Sequence, residues 1–151
     1  MIKTIPNATL NNTLWGIHKQ ISDSLIYARG FCPFDNARDI YYFFRRNVVY
    51  KHDPPGIELL QSLPTFVDDN YWGIPFCGDC DCFTIAFTSC CLVKKIPIRI
   101  VLAGNKPNEY THIYNQVQFN GDWCIADLTQ PYWDSERKYN HTKTFKTEIA
   151  L

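Results

Sequence analysis

The stretch THIYNQVQFNGDWCIADLT, Thr111 to Thr129, decides how this chain folds. Asn120–Gly121 stands between two β-rich runs, and this dipeptide accepts the two positive φ angles of a two-residue hairpin turn. Such a turn fixes register: Phe119 faces Asp122, Tyr114 faces Asp127, and His112 faces Thr129. Side chains alternate along a strand, so His112 and Asp127 become diagonal neighbours on one face, within hydrogen-bond reach. A slip of one residue would put them on opposite faces. Taken singly, His112 is an ordinary solvated strand histidine and Asp127 a turn former at a strand end.

Outward from the hairpin, IPIRIVLAG, Ile96 to Gly104, is another β-rich run, and the periodic segments before it are helical. Leu14, Ile17, Ile21 and Leu25 recur at helical spacing, with Asn12 or Thr13 as N-cap and breaks at Gly30 and Pro33. A second helix, with Asp35 as N-cap, buries Ala37, Ile40, Tyr41, Phe44 and Val48, and HDPPG, His52 to Gly56, ends it. Ile57 to Leu63 makes one short helix, and Pro64 to Pro75 reads as a loop. After Gly78, Phe83, Ala86, Phe87, Cys90 and Val93 share a helical face, and Lys94–Lys95 suit the negative end of its dipole. Helices first and an antiparallel sheet afterwards is the α+β pattern. No repeat, linker or low-complexity block divides residues 1–151, so one domain is expected.

Composition narrows the function. Apolar residues form 46% of the chain, which is globular and not disordered. Fifteen basic residues balance fifteen acidic ones, which leaves no cationic surplus for nucleic acid or an acidic membrane surface. Arg45–Arg46 and Lys94–Lys95 read as solvated charges at helix ends. No apolar run approaches the roughly 20 residues that span a bilayer. MIKTIPNATLNN lacks the apolar core of a secretory signal, so a reducing cytoplasm is expected, with thiols free and the sequons at Asn7, Asn11 and Asn140 unused.

The seven cysteines carry the chemistry, and three of them crowd FCGDCDCF, Phe76 to Phe83. Cys77 and Cys80 have the C-x₂-C spacing, but no second pair of ligands completes a four-coordinate zinc site. A redox C-x₂-C opens a helix in a βαβ setting, and no β-rich run precedes this one. Cys32, Cys77, Cys90, Cys91 and Cys124 read as buried, inert thiols. Cys80 differs, because it falls at a helix start after Gly78–Asp79, where unpaired N–H groups and the helix dipole favour thiolate. A cysteine so placed, with a histidine and a carboxylate on one sheet face, forms a coherent acid–base set.

These segments resemble the transglutaminase-like cysteine peptidase superfamily. The likeness rests on Gly78-Asp79-Cys80 at a helix start, then Thr111-His112-Ile113-Tyr114-Asn115-Gln116-Val117, then Trp123-Cys124-Ile125-Ala126-Asp127-Leu128-Thr129. It is similar to the bacterial and phage branch with a GDCDD motif, preceded by a segment like YYFFRRNVVYKHDPPGIELLQSL; the second Asp of that motif is Cys82 here. The resemblance implies a papain- or transglutaminase-like core and a catalytic triad: Cys80 as nucleophile, His112 as base and acid, Asp127 as orienting group. It implies acyl transfer on a protein or peptide amide, cell-wall peptide included, without metal or cofactor. The Cys80 N–H is the expected oxyanion donor, with Tyr71 or Trp72 as side-chain candidates. A phage-encoded protein acting in the host cytoplasm or the virion fits the same likeness. The competing class is a non-catalytic structural or binding module on this fold.

Overall fold

The computed structural model describes residues 7–32, 34–55, 58–68 and 71–147, with side chains from residue 13 onward. The breaks assigned to Pro33 and Gly56, the start of a helix at Ile57, and the first six residues lie outside them. The elements run α1 Asn7–Phe31, α2 Ala37–Asn47, β1 Val49–Tyr50, α3 Leu63–Val67, β2 Cys77–Gly78, α4 Cys80–Val93, β3 Ile98–Gly104, β4 His112–Phe119, β5 Asp122–Ala126 and β6 His141–Lys146. The architecture is α+β, helices packed on an antiparallel sheet of order β5-β4-β3-β6.

At the centre lies α4. Every residue from Cys80 to Cys91 is buried, so the helix is covered on all sides rather than along one stripe. Its apolar composition permits this, and its polar residues are satisfied locally: Ser89 Oγ donates to the Ile85 carbonyl at 2.7 Å, and Asn115 Nδ2 donates to Thr88 Oγ1 at 2.9 Å. Helix α1 packs Ile17 and Ile21 with Ile85 of α4 and with Ile100, Leu102 and Ile113 of the sheet. Tyr41 and Phe44 of α2 meet Phe83, Ala86, Phe87 and Cys90 of α4 in a second, aromatic-rich cluster.

The hairpin takes the expected register, with Phe119 opposite Asp122 and Asn115 opposite Ala126. Asn120 and Gly121 have φ of 52° and 85°, the double positive of a type I′ turn.

Four expectations change. Helix α1 begins at Asn7, so Asn12 and Thr13 lie inside it; nothing between Ala8 and Thr13 breaks a helix, and the cap residues give way to its continuation. The N-cap of α2 is Asn36, whose Oδ1 accepts from the Asp39 N–H at 2.9 Å, while Asp35 pairs with Lys94 at 3.2 Å. Residues 58–62 are irregular, and the short helix is Leu63–Val67, with Pro64 in its first turn inside the stretch read as loop. Past α2 the chain pairs Val49–Tyr50 in parallel with Cys77–Gly78, which carries the cysteine segment to the start of α4.

Candidate active site

Gly78 and Asp79 set the position of Cys80. A Cβ on Gly78 would lie 2.8 Å from Cys82 Cβ and 3.1 Å from Gln61 Nε2, so only glycine lets the turn close onto α4. Asp79 is the N-cap: its Oδ1 accepts from the Asp81 N–H at 3.2 Å. Cys80 is then the first helical residue, at the positive end of the helix dipole. Its sulfur is almost wholly buried and sits 3.8 Å from Asp81 Oδ1.

On the sheet, His112 Nε2 and Asp127 Oδ2 are 2.7 Å apart. Asp127 is buried and its second oxygen is held as well, by the Thr129 hydroxyl at 2.7 Å and the Thr129 N–H at 3.0 Å. With both oxygens engaged, the carboxylate has one orientation. The imidazole is fixed in turn by rings: it lies nearly parallel to Tyr114 and Tyr139, with centroids 5.5 and 5.9 Å away. Cys80, Thr84, Asp127 and Thr129 line one slot, too narrow for water, between α4 and the hairpin. Phe83, Leu128 and Thr129 are shared with an open cavity of about 460 Å³ that His112, Arg45, Arg137 and Tyr139 also line.

Sequence reasoning missed Thr129, Tyr139, Arg137 and Gln61. Thr129 alone left a signal, two residues after Asp127 where a hydroxyl can close an Asx-type turn. Arg45, read as a solvated helix-end charge, is half-buried in the cavity wall instead. The side-chain oxyanion candidates are placed elsewhere: Tyr71 meets Trp72 edge to face, Lys51 lies 4.5 Å over the Trp72 ring, and neither Tyr71 nor Trp72 lines slot or cavity.

The remaining thiols divide. Cys82 donates to the Leu59 carbonyl at 3.3 Å and accepts from Gln61 Nε2 at 3.4 Å; burial pushes its thiol up to about 12. Burial also raises Cys77, Cys91 and Cys124. Cys32 departs from the inert reading, since the hydrogen bond from Cys90 lowers it to about 7. All seven are free thiols.

For a metal, geometry gathers two groups among the described residues, Asp79 with Cys80 and Asp81, and the carboxylates of Asp53, Glu58, Asp79 and Asp81. Cys77 belongs to neither. The four-carboxylate set is the hard-oxygen kind that suits calcium or magnesium rather than a zinc knuckle. Burial raises the Asp81 carboxyl within this set.

A cysteine at a helix start thus lines one slot with the carboxylate that holds a strand histidine. Residues 27–128 match the transglutaminase-like superfamily, and the chain belongs to it. No curated protein matches the chain significantly. Among solved structures it is similar to a candidate cysteine protease from Cytophaga hutchinsonii, with 14% identity and a TM-score of 0.48. That match covers 87% of this chain and 46% of the other, so the chain spans about half that protein's length. No helix among the described residues is long and apolar enough to cross a membrane.

Proposed function

We propose that the chain is a cysteine-dependent acyl-transfer enzyme, a peptidase or amidase, with Cys80, His112 and Asp127 as its catalytic residues. The observation that carries this reading is the 2.7 Å contact of His112 with an Asp127 whose other oxygen is held by Thr129, next to the slot lined by Cys80. The Cys80 thiolate attacks an amide carbonyl, forming a C–S bond, and the charge that develops on oxygen meets N–H groups at the start of α4. His112 passes its proton to the departing amine as the C–N bond breaks, leaving a thioester. Water, giving a proton back to His112, or a second amine, then displaces the thiol. Asp127 keeps the imidazole in the orientation these transfers need. The phage branch, and a setting in virion or host cytoplasm, rest on the Gly78-Asp79-Cys80 resemblance and belong to the same proposal.

The test is iodoacetamide labelling at pH about 6.5, with the modified residue mapped. Cys32→Ser is the right background, because the hydrogen bond from Cys90 lowers the Cys32 thiol and would let it compete for the reagent. Cys80 should label first and stoichiometrically, and His112→Ala should slow it. Faster labelling of Cys77 or Cys82, or a Cys80 rate indifferent to His112, would overturn the reading.

A further inference from the structure

We propose that the cavity beside His112 is a carboxylate subsite, so that the substrate of the acyl-transfer reading above carries an anionic group next to the amide that Cys80 attacks. The volume, about 460 Å³, accommodates a few residues of an extended peptide. Its wall holds two guanidinium groups, Arg45 from α2 and Arg137 from the irregular segment before β6, and no acidic residue. Among the described residues neither arginine forms an ion pair. Arg45 Nε is buried and donates to nothing, and Arg137 bonds the Tyr139 phenol.

The acids nearby are engaged or lie off the wall. Asp127 is held by His112 and Thr129, and Glu136 accepts from the Tyr114 hydroxyl at 3.1 Å. Asp53 and Asp81 act on Tyr50 but do not line the cavity. A lone exposed arginine is ordinary solvated surface, and Arg137 by itself would be read so. Arg45 is the contrary case: a half-buried cation, its Nε buried without a partner, in the wall of a cleft that His112 also lines. A guanidinium fork matches a carboxylate geometrically, and in a partly enclosed cleft the pairing is screened less than on open surface. The cavity and the Cys80 slot share Phe83, Leu128 and Thr129 in their walls, so an anionic group in the cavity would lie within a residue or two of the scissile bond. Two sources supply such a carboxylate, an acidic side chain or a free peptide C-terminus.

The test compares two reagents at one sulfur. Iodoacetate and iodoacetamide both form an S–C bond to Cys80 and expel iodide, but only the first is an anion. The ratio of their rates cancels the thiolate fraction and reports the field of the two arginines. In Arg45→Gln/Arg137→Gln that ratio should fall roughly fivefold at low ionic strength, and the difference from wild type should shrink in about 0.5 M salt. Arg137→Glu, at an exposed position that leaves packing alone, should lower the ratio by itself. An unchanged ratio in both variants overturns the subsite. Iodoacetamide labelling another cysteine first overturns the acyl-transfer reading instead, while the ratio measured at Cys80 still reports the cavity. Protection of Cys80 by acetyl-Ala-Glu-Ala-amide beyond acetyl-Ala-Gln-Ala-amide identifies a side chain, and protection by acetyl-Ala-Gln-Ala with a free carboxylate identifies a chain end. Equal protection by charged and neutral peptides, or none by any, counts against the subsite.

Discussion

Asp127 has its two oxygens divided between different partners, one for the imidazole and one for Thr129. Removing the first interaction and removing the second should therefore differ in degree. Asp127→Ala leaves His112 without its anchor and should lower acyl transfer by roughly a hundredfold or more. Thr129→Val keeps the carboxylate but frees it to rotate, so a loss of about three- to tenfold is expected. Rates of Cys80 alkylation near neutral pH, measured beside peptide turnover, check both; a Thr129→Val as damaging as Asp127→Ala would mean the hydroxyl acts on the substrate. Asp81 gives a second prediction, about pH. Burial raises its carboxyl in the folded state, so folding is favoured while it stays protonated and loses that contribution as pH rises through the raised value. The melting temperature should thus climb as pH falls from the raised value toward the ordinary carboxylate range, and Asp81→Asn should flatten that slope. A slope equally steep in Asp81→Asn would assign it to another group.

Elements were legible where their period or turn chemistry was strong. Helices α2 and α4 follow from apolar spacing, and the β4–β5 register follows from Asn120–Gly121, which is why His112 and Asp127 could be paired before any coordinates. Strand β6 could not be read: HTKTFK is polar and mostly exposed, and it is a strand because β3 offers it an edge. The β1–β2 pair is two residues long on each side, below any periodicity. Arg137 and Tyr139 reach the site from irregular chain, so nothing local announced them. Gly78 stands between these cases, visible as a turn glycine but with its contact hidden. Gly78→Ala would force its Cβ against Cys82 Cβ, at 2.8 Å, and the Gln61 amide, at 3.1 Å. Backbone at the start of α4 has to shift, costing about 1–3 kcal/mol and slowing Cys80 labelling. Thermal unfolding and alkylation should change together, and an unaltered Cys80 rate in a destabilised variant would show that the helix start had not moved.

Across the whole molecule, the site depends on how α4 lies on the sheet. Asn115 Nδ2 reaches Thr88 Oγ1 at 2.9 Å and the Arg99 carbonyl at 3.1 Å, joining α4, β4 and β3 at one buried point. From that point Cys80 lies eight residues back along α4, roughly 12 Å at a helical rise. His112 lies three residues back along β4, roughly 10 Å at a strand rise. The two lengths nearly match, so a pin at Thr88–Asn115 brings Cys80 and His112 to the same end of the core. Thr88→Val keeps the shape but deletes the acceptor, leaving an Asn115 donor with one fewer partner in a dry interior, at a cost of about 1–2 kcal/mol. The helix can then slide on the sheet, so Cys80 alkylation and turnover should fall several-fold beyond what lost stability explains. Ser89→Ala is the control, because its hydroxyl bonds only the Ile85 carbonyl within α4 and joins no two elements. It should cost stability with little change in rate, as read by unfolding and labelling under conditions where both variants are fully folded. If Thr88→Val slows the cysteine no more than Ser89→Ala does, the alignment of helix and sheet is held by apolar packing along α4 and not by this hydrogen bond.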